Sequence, residues 1–143
     1  MLNLYDLTSE PNKLKGSWDD VIEHHPELAW EKYKHNPEEL KKREHLWIQS
    51  AEYVYWYARF VIKGRWLEGE SVIVTNPHWA RRYAEYIIEG RWPEAEPYIM
   101  KDPDSAFWYA KFVIKGCWPE AEPYIERDDW CNYQYTAMLL DGC

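Results

Sequence analysis

The chain has 143 residues, a formal net charge of −8 and a pI near 5.1, with ten Trp and twelve Tyr. That length fits one domain with a continuous core. The acidity argues against a conventional nucleic-acid binder, which needs a basic patch to displace counterions, and favours a partner of basic or mixed charge.

The mean hydropathy of −0.72 scores Trp and Tyr as nearly polar. Rings that bury roughly 150 to 250 Å² each can nevertheless hold a small array together, so disorder is not expected over residues 50–143. No basic stretch followed by an apolar run opens the sequence, and no apolar segment approaches the roughly 20 residues of a membrane span. The three cysteines, Cys117, Cys131 and Cys143, form no CxxC pair. Reduced thiols in a cytoplasmic protein are the simplest expectation.

Residues 1–50 read as a diverged helical cap. Gly16-Ser17-Trp18 with Val21-Ile22, His25-Pro26-Glu27-Leu28-Ala29-Trp30 and the helix start Asn36-Pro37-Glu38-Glu39 are faint versions of a motif that recurs in residues 51–143. His24, His25, His35 and His45 fall here at spacings that fit neither HExxH nor a paired zinc-ligand pattern. They are expected to be exposed histidines on a polar cap, with no metal or other cofactor.

From residue 51 the chain repeats. Gly64, Gly90, Gly116 and Gly142 are each 26 residues apart, and Trp56-Tyr-Ala-Arg-Phe-Val-Ile-Lys-Gly-Arg-Trp66 returns nearly unchanged at 82–92 and 108–118. Gln134-Tyr-Thr-Ala-Met-Leu-Leu-Asp-Gly-Cys143 is a worn fourth copy. A fixed period in this range marks a stacked-repeat protein. The expected fold is therefore all-α: a short, solenoid-like stack with one long and one short helix per 26-residue unit, capped at both ends, residues 51–143 packing as one domain.

The third copy shows the long helix best. Asp102 caps, Pro103 takes the first position, and Ala106, Tyr109, Ala110, Val113 and Ile114 form an apolar stripe at helical spacing over 103–115. Gly116 is expected to end it in the left-handed conformation. In the second half of the unit, two prolines four apart predict a turn at Trp92–Glu94. A short helix then runs from about Ala95 to Lys101, with Tyr98 and Ile99 tucked inward beside Trp92. The first unit has Leu67-Glu68-Gly69-Glu70-Ser71 instead, and a looser short helix is expected there.

The sequence Tyr-Ala-x-x-Val-Ile-Lys-Gly-Arg-Trp-Pro-Glu-Ala-Glu-Pro-Tyr-Ile, followed by Asp-Pro, resembles a tandem helical repeat of small uncharacterised proteins of tailed phages and bacteria. The resemblance spans roughly residues 50–143 and implies a phage-like origin, with no activity attached.

Two sets of residues are candidates for binding. The acid pairs Glu68/Glu70, Glu94/Glu96 and Glu120/Glu122 recur at the repeat interval. They read either as a negative ridge imitating nucleic-acid phosphates or as acids complementing the dipole of each short helix. Where the copies disagree, as at Tyr55, Arg81, Phe107 and Tyr133 or at Trp56, Arg82, Trp108 and Gln134, divergence suggests a surface of interface-type residues. Trp56 and Trp108 lie either there or between repeats. Identical carboxylate pairs offer no contrast of environment for acid–base work, and no nucleophile or phosphate-loop motif is present, so an enzyme is not expected.

The expected function is thus a non-enzymatic protein binder with a partner that is basic or handles nucleic acid. Together with the resemblance, this implies an inhibitor of a host defence nuclease or CRISPR effector. The alternative is a small-ligand (nucleotide) binder with aromatic pockets between repeats.

Overall fold

The computed structural model describes residues 18–142, and among these every regular element is helical. The chain divides into two compact units, Met1–Leu46 and Trp47–Cys143. In the first, α1 (Trp18–His24), α2 (Pro26–Tyr33) and α3 (Pro37–Lys41) follow one another, and a single turn, α4 (Glu44–Trp47), runs across the division. The Gly16-Ser17 echo of the repeat lies outside the described residues. Pro26 and Pro37 occupy first turns, where a missing N–H is harmless. Arg43 ties this unit together, bonding Glu39 at 2.8 Å while its guanidinium sits 4.0 Å from the centre of the Tyr33 ring.

The second unit contains the four copies. Copy 1 is α5 (Ala51–Tyr57), continued by a π-helical turn at Ala58–Ile62, then α6 (Leu67–Ile73). Copy 2 is α7 (Pro77–Tyr83), a π turn at Ala84–Ile88 and α8 (Glu96–Ile99). Copy 3 is α9 (Pro103–Tyr109), a π turn at Ala110–Ile114, a 3-10 turn at Pro119–Ala121 and α10 (Glu122–Ile125). Copy 4 is the single helix α11 (Asp129–Leu140). The long helices α5, α7, α9 and α11 pack on one another in chain order, and the π turns of the first three copies touch in sequence.

Each long helix starts at a side-chain cap. Ser50 Oγ, Asn76 Oδ1, Asp102 Oδ2 and Asp128 Oδ1 accept the N–H three residues on, at 3.3, 3.1, 3.1 and 2.8 Å. Those four positions keep the 26-residue interval, so the period is set as much by caps as by core. The buried stripe is likewise periodic. Tyr57-Ala58, Tyr83-Ala84 and Tyr109-Ala110 are fully buried, over Trp66, Trp92, Trp118 and Ile73, Ile99, Ile125.

Several expectations need correction. The long helix is not α throughout: its last turn widens to π in copies 1 to 3, where a buried Ala58, Ala84 or Ala110 begins the turn. The wider turn absorbs a residue, so the left-handed position falls one place early. It is Lys63, Glu89 and Lys115 that have φ of 60°, 59° and 61°, not the glycines after them. The N–H groups of Lys115 and Gly116 converge on the Ala110 carbonyl at 2.7 and 3.2 Å, closing the end. In copy 4, Thr136 replaces that alanine, the helix stays α to Leu140, and Gly142 takes the positive φ of 120°. The glycine-stop reading is right only where the π turn is missing.

The short helix of copy 1 is longer than those of copies 2 and 3, because Leu67 and Ser71 stand where they have prolines and every N–H can join the helix. Tyr98 is exposed instead of tucked beside Trp92, although Ile99 is fully buried. Cys131 is a free, buried thiol, but Cys117 is disulfide-bonded, against the expectation of reduced cysteines. Among the described residues, no helix is long and apolar enough to cross a membrane.

Candidate functional site

The acid pairs divide into two populations. Glu70, Glu96 and Glu122, the second member of each, belong to an internal clasp. The Tyr109 hydroxyl accepts the buried Trp92 N–H at 2.7 Å and donates to Glu96 at 2.9 Å, while Arg91 grips the same carboxylate with two bonds at 2.8 and 2.9 Å. Tyr83, Trp66, Glu70 and Arg65 repeat the pattern one copy earlier, with bonds of 2.7 to 3.0 Å. Tyr135, Trp118 and Glu122 repeat it one copy later, with Cys117 in the arginine's place. Each clasp joins two copies, because the tyrosine comes from the next long helix; the rings of Tyr83 and Tyr109 also pack on the tryptophans that follow them, at 5.1 and 4.9 Å.

The clasp shifts the titration of its members. Burial pushes the Tyr83 and Tyr109 hydroxyls well above the ordinary phenol value, and it pushes Tyr135 up to about 12. Burial alone would also raise Glu96, but the hydrogen bonds from Arg91 and Tyr109 outweigh it and hold the carboxyl below its usual range. Glu70, Glu96 and Glu122 therefore do not face solvent as a continuous ridge. Glu68, Glu94 and Glu120 do remain exposed at the repeat interval.

Variation between copies misleads at the position held by Tyr55, Arg81 and Phe107. Tyr55 is 0% and Phe107 1% exposed. Each packs on a tryptophan of the next long helix: Trp79 lies 5.3 Å from Tyr55, and Trp130 lies 5.8 Å from Phe107. Arg81, at the same position, is mostly buried and bonds Glu85 at 2.9 Å. Burial lowers its pKa. Arg82 is half-buried. Trp56 and Trp108 are also half-buried, each with one edge against the next copy.

What the array does show to solvent is a row absent from the sequence-based candidates. Phe60, Tyr86 and Phe112, one per π turn and 26 residues apart, are 50%, 45% and 42% exposed. Phe60 stacks on Trp56 at 5.4 Å and Phe112 on Trp108 at 5.4 Å. Cations lie over the rings: Arg59 is 4.4 Å from Tyr86, and Lys111 is 5.3 Å from Trp108 and 5.5 Å from Phe112. The result is an aromatic row studded with positive charge on an acidic protein. A signal for it exists in the sequence, since three aromatics recur at the 26-residue interval beside the buried stripe.

Between copies 1 and 2 there is also a cavity of about 230 Å³ bounded by Arg65, Glu70, Ser71, Val74, Trp92 and Glu94. Its one aromatic, Trp92, is almost wholly covered. The four histidines expected on the cap do not converge: His24, His35 and His45 are exposed and His25 is half-buried. Among the described residues, no three His, Cys, Asp or Glu come together as a metal-ligand set. No family model, curated protein or solved structure matches the chain, so its geometry stands alone in indicating what it does.

Proposed function

We propose that the protein is a non-enzymatic, protein-binding helical-repeat scaffold that engages its partner through the aromatic row of the π turns. The observation that carries this reading is the regular exposure of Phe60, Tyr86 and Phe112, each beside a cation or a stacked tryptophan. Aromatic and arginine side chains on one stripe are the types enriched where binding energy concentrates. Side chains of 42% to 50% exposure, held in place by neighbouring rings, lose little freedom when covered. The paired acids support the scaffold role, because half of them serve to join copies.

An inhibitor of a nucleic-acid-handling host enzyme is the narrower form of this proposal. Its support is the acidic net charge and the exposed Glu68, Glu94 and Glu120, with the row supplying affinity. The test is affinity capture from a bacterial lysate with the parent and with a Phe60→Ser, Tyr86→Ser, Phe112→Ser variant. A protein retained by the parent and lost by the variant, at equal helix content, is expected. Equal capture by both would remove the row from the function.

A further inference from the structure

At the junction of copies 1 and 2, Arg59 and Arg82 approach the same two rings. The Arg59 guanidinium carbon is 4.4 Å from the centre of Tyr86 and 5.7 Å from that of Tyr55. That of Arg82 is 5.9 Å and 5.3 Å from the same rings, and 5.6 Å from Trp79. Arg59 spends one N–H on the Tyr55 hydroxyl. Arg82 makes no hydrogen bond or ion pair among the described residues, and its Nε is buried without an acceptor. Glu85, three residues on from Arg82, is taken by Arg81 at 2.9 Å.

Two like charges gathered on shared rings without a carboxylate between them form an unbalanced arrangement. The ring faces attract the cations, yet they offer no oxygen to the waiting N–H groups. Arg43 and Arg81 also have a buried Nε without an acceptor, but each is paired to a carboxylate through another nitrogen, whereas Arg82 has no such partner among the described residues.

We propose that Arg59 and Arg82 form a subsite for a phosphate monoester carried on a planar group, the chemistry of a nucleoside monophosphate or an aryl phosphate. A phosphate dianion matches two guanidinium charges and presents oxygens to their forked donors, which a single carboxylate does only in part. The Tyr55 hydroxyl accepts from Arg59 and so retains its own proton to donate. Phe60 and Tyr86, each about half exposed, flank the arginines and give the planar group a surface to lie on. The site shares Phe60 and Tyr86 with the proposed partner-binding row, but Arg59 and Arg82 are its own, so substitutions there test it apart from that reading.

The repeat supplies its own controls. Trp occupies the position of Arg82 in copies 1 and 3, and Gln occupies it in copy 4, while Ala137 is the counterpart of Arg59. Arg82→Trp, Arg82→Gln and Arg59→Ala thus import residues the fold already carries at equivalent places. Titration calorimetry at low salt would compare inorganic phosphate, phenyl phosphate, adenosine 5′-monophosphate and adenosine. The two esters should bind, inorganic phosphate more weakly, and adenosine not at all. Each variant should weaken the nucleotide at least about tenfold, with helix content and thermal midpoint retained. If Arg82→Trp disturbs packing, Arg82→Gln carries the comparison. Undiminished binding to Arg82→Gln overturns the proposal, as does adenosine matching its monophosphate or silence from every phosphate probe. Equal affinity for inorganic phosphate and the nucleotide also overturns it, because the rings would then contribute nothing.

Discussion

Gly69 is the one position in the short helices where a side chain has been given up. A Cβ built there would stand 2.7 Å from Trp66 Cε3 and 2.7 Å from Val54 Cγ1, closer than packed atoms tolerate. Copies 2 and 3 carry Ala95 and Ala121 at that place, and they carry Ala80 and Ala106 where copy 1 has Val54. Volume has been exchanged across the contact: Gly with Val in one copy, Ala with Ala in the others. Gly69→Ala should therefore destabilise by about 1 to 3 kcal/mol through overpacking, despite the better helix propensity of alanine. Adding Val54→Ala should return most of the loss. Denaturant unfolding of both singles and the double measures the coupling. Additive losses would mean that the contact is slack.

At the scale of elements, the clasp is what converts a periodic sequence into a stack. Tyr109 contributes to two jobs at once: its ring covers Trp118 at 4.9 Å, and its hydroxyl reaches back to copy 2. Tyr109→Phe keeps the first and removes the second, leaving the buried Trp92 N–H without an acceptor at a cost of about 1 to 3 kcal/mol. The carboxylate in the same clasp sets an acid limit. Glu96 has a folded pKa below its ordinary value of 4.5, so its contribution is present above the unfolded value and is lost as pH falls below about 4.5. Thermal midpoints of parent and Glu96→Gln, followed from pH 6 to pH 3, should converge as the pH drops. Parallel curves would show the clasp open in solution.

How much of these elements the sequence discloses depends on what spacing encodes. Caps and buried stripe are legible because Ser50, Asn76, Asp102 and Asp128 are cap-forming types at a constant interval, and because Tyr109, Ala110, Val113 and Ile114 obey helical spacing. The π turn is not legible, since one extra residue per turn over five residues leaves an i, i+3, i+4 pattern almost unchanged. That is why spacing puts the left-handed residue on Gly116 when Lys115 holds it. The clasp is hidden for another reason. Tyr109 and Glu96 are 13 residues apart on different helices, and nothing in a local pattern says which acid of a pair turns inward. The exposed row is easily misread because Trp108 and Phe112 look like a second buried face, whereas they stack on each other and leave one ring in water.

In the second unit each long helix packs on the next in chain order, so the inner copies are held from both sides. Such an array loses structure first where its joints are weakest, and the last joint differs from the others. Its clasp has Cys117 in place of the arginine, and Tyr135 is less deeply desolvated than Tyr83 or Tyr109. Its hydroxyl is raised from 10.0 to about 12. A group raised in the folded state contributes stability that is fully present below the unfolded pKa and is lost as pH climbs through the folded one. Between pH 10 and 12, then, the unfolded chain releases this proton while the clasped tyrosine keeps it, and stability declines. At the upper end Tyr135 ionises in place, facing Glu122, and the hydrogen bonds of the last clasp are lost. Denaturation midpoints measured from pH 9 to 12 should fall less steeply for Tyr135→Phe than for the parent. An unchanged slope would place the Tyr135 hydroxyl in solvent, and the array would then have to end by some means other than its last clasp.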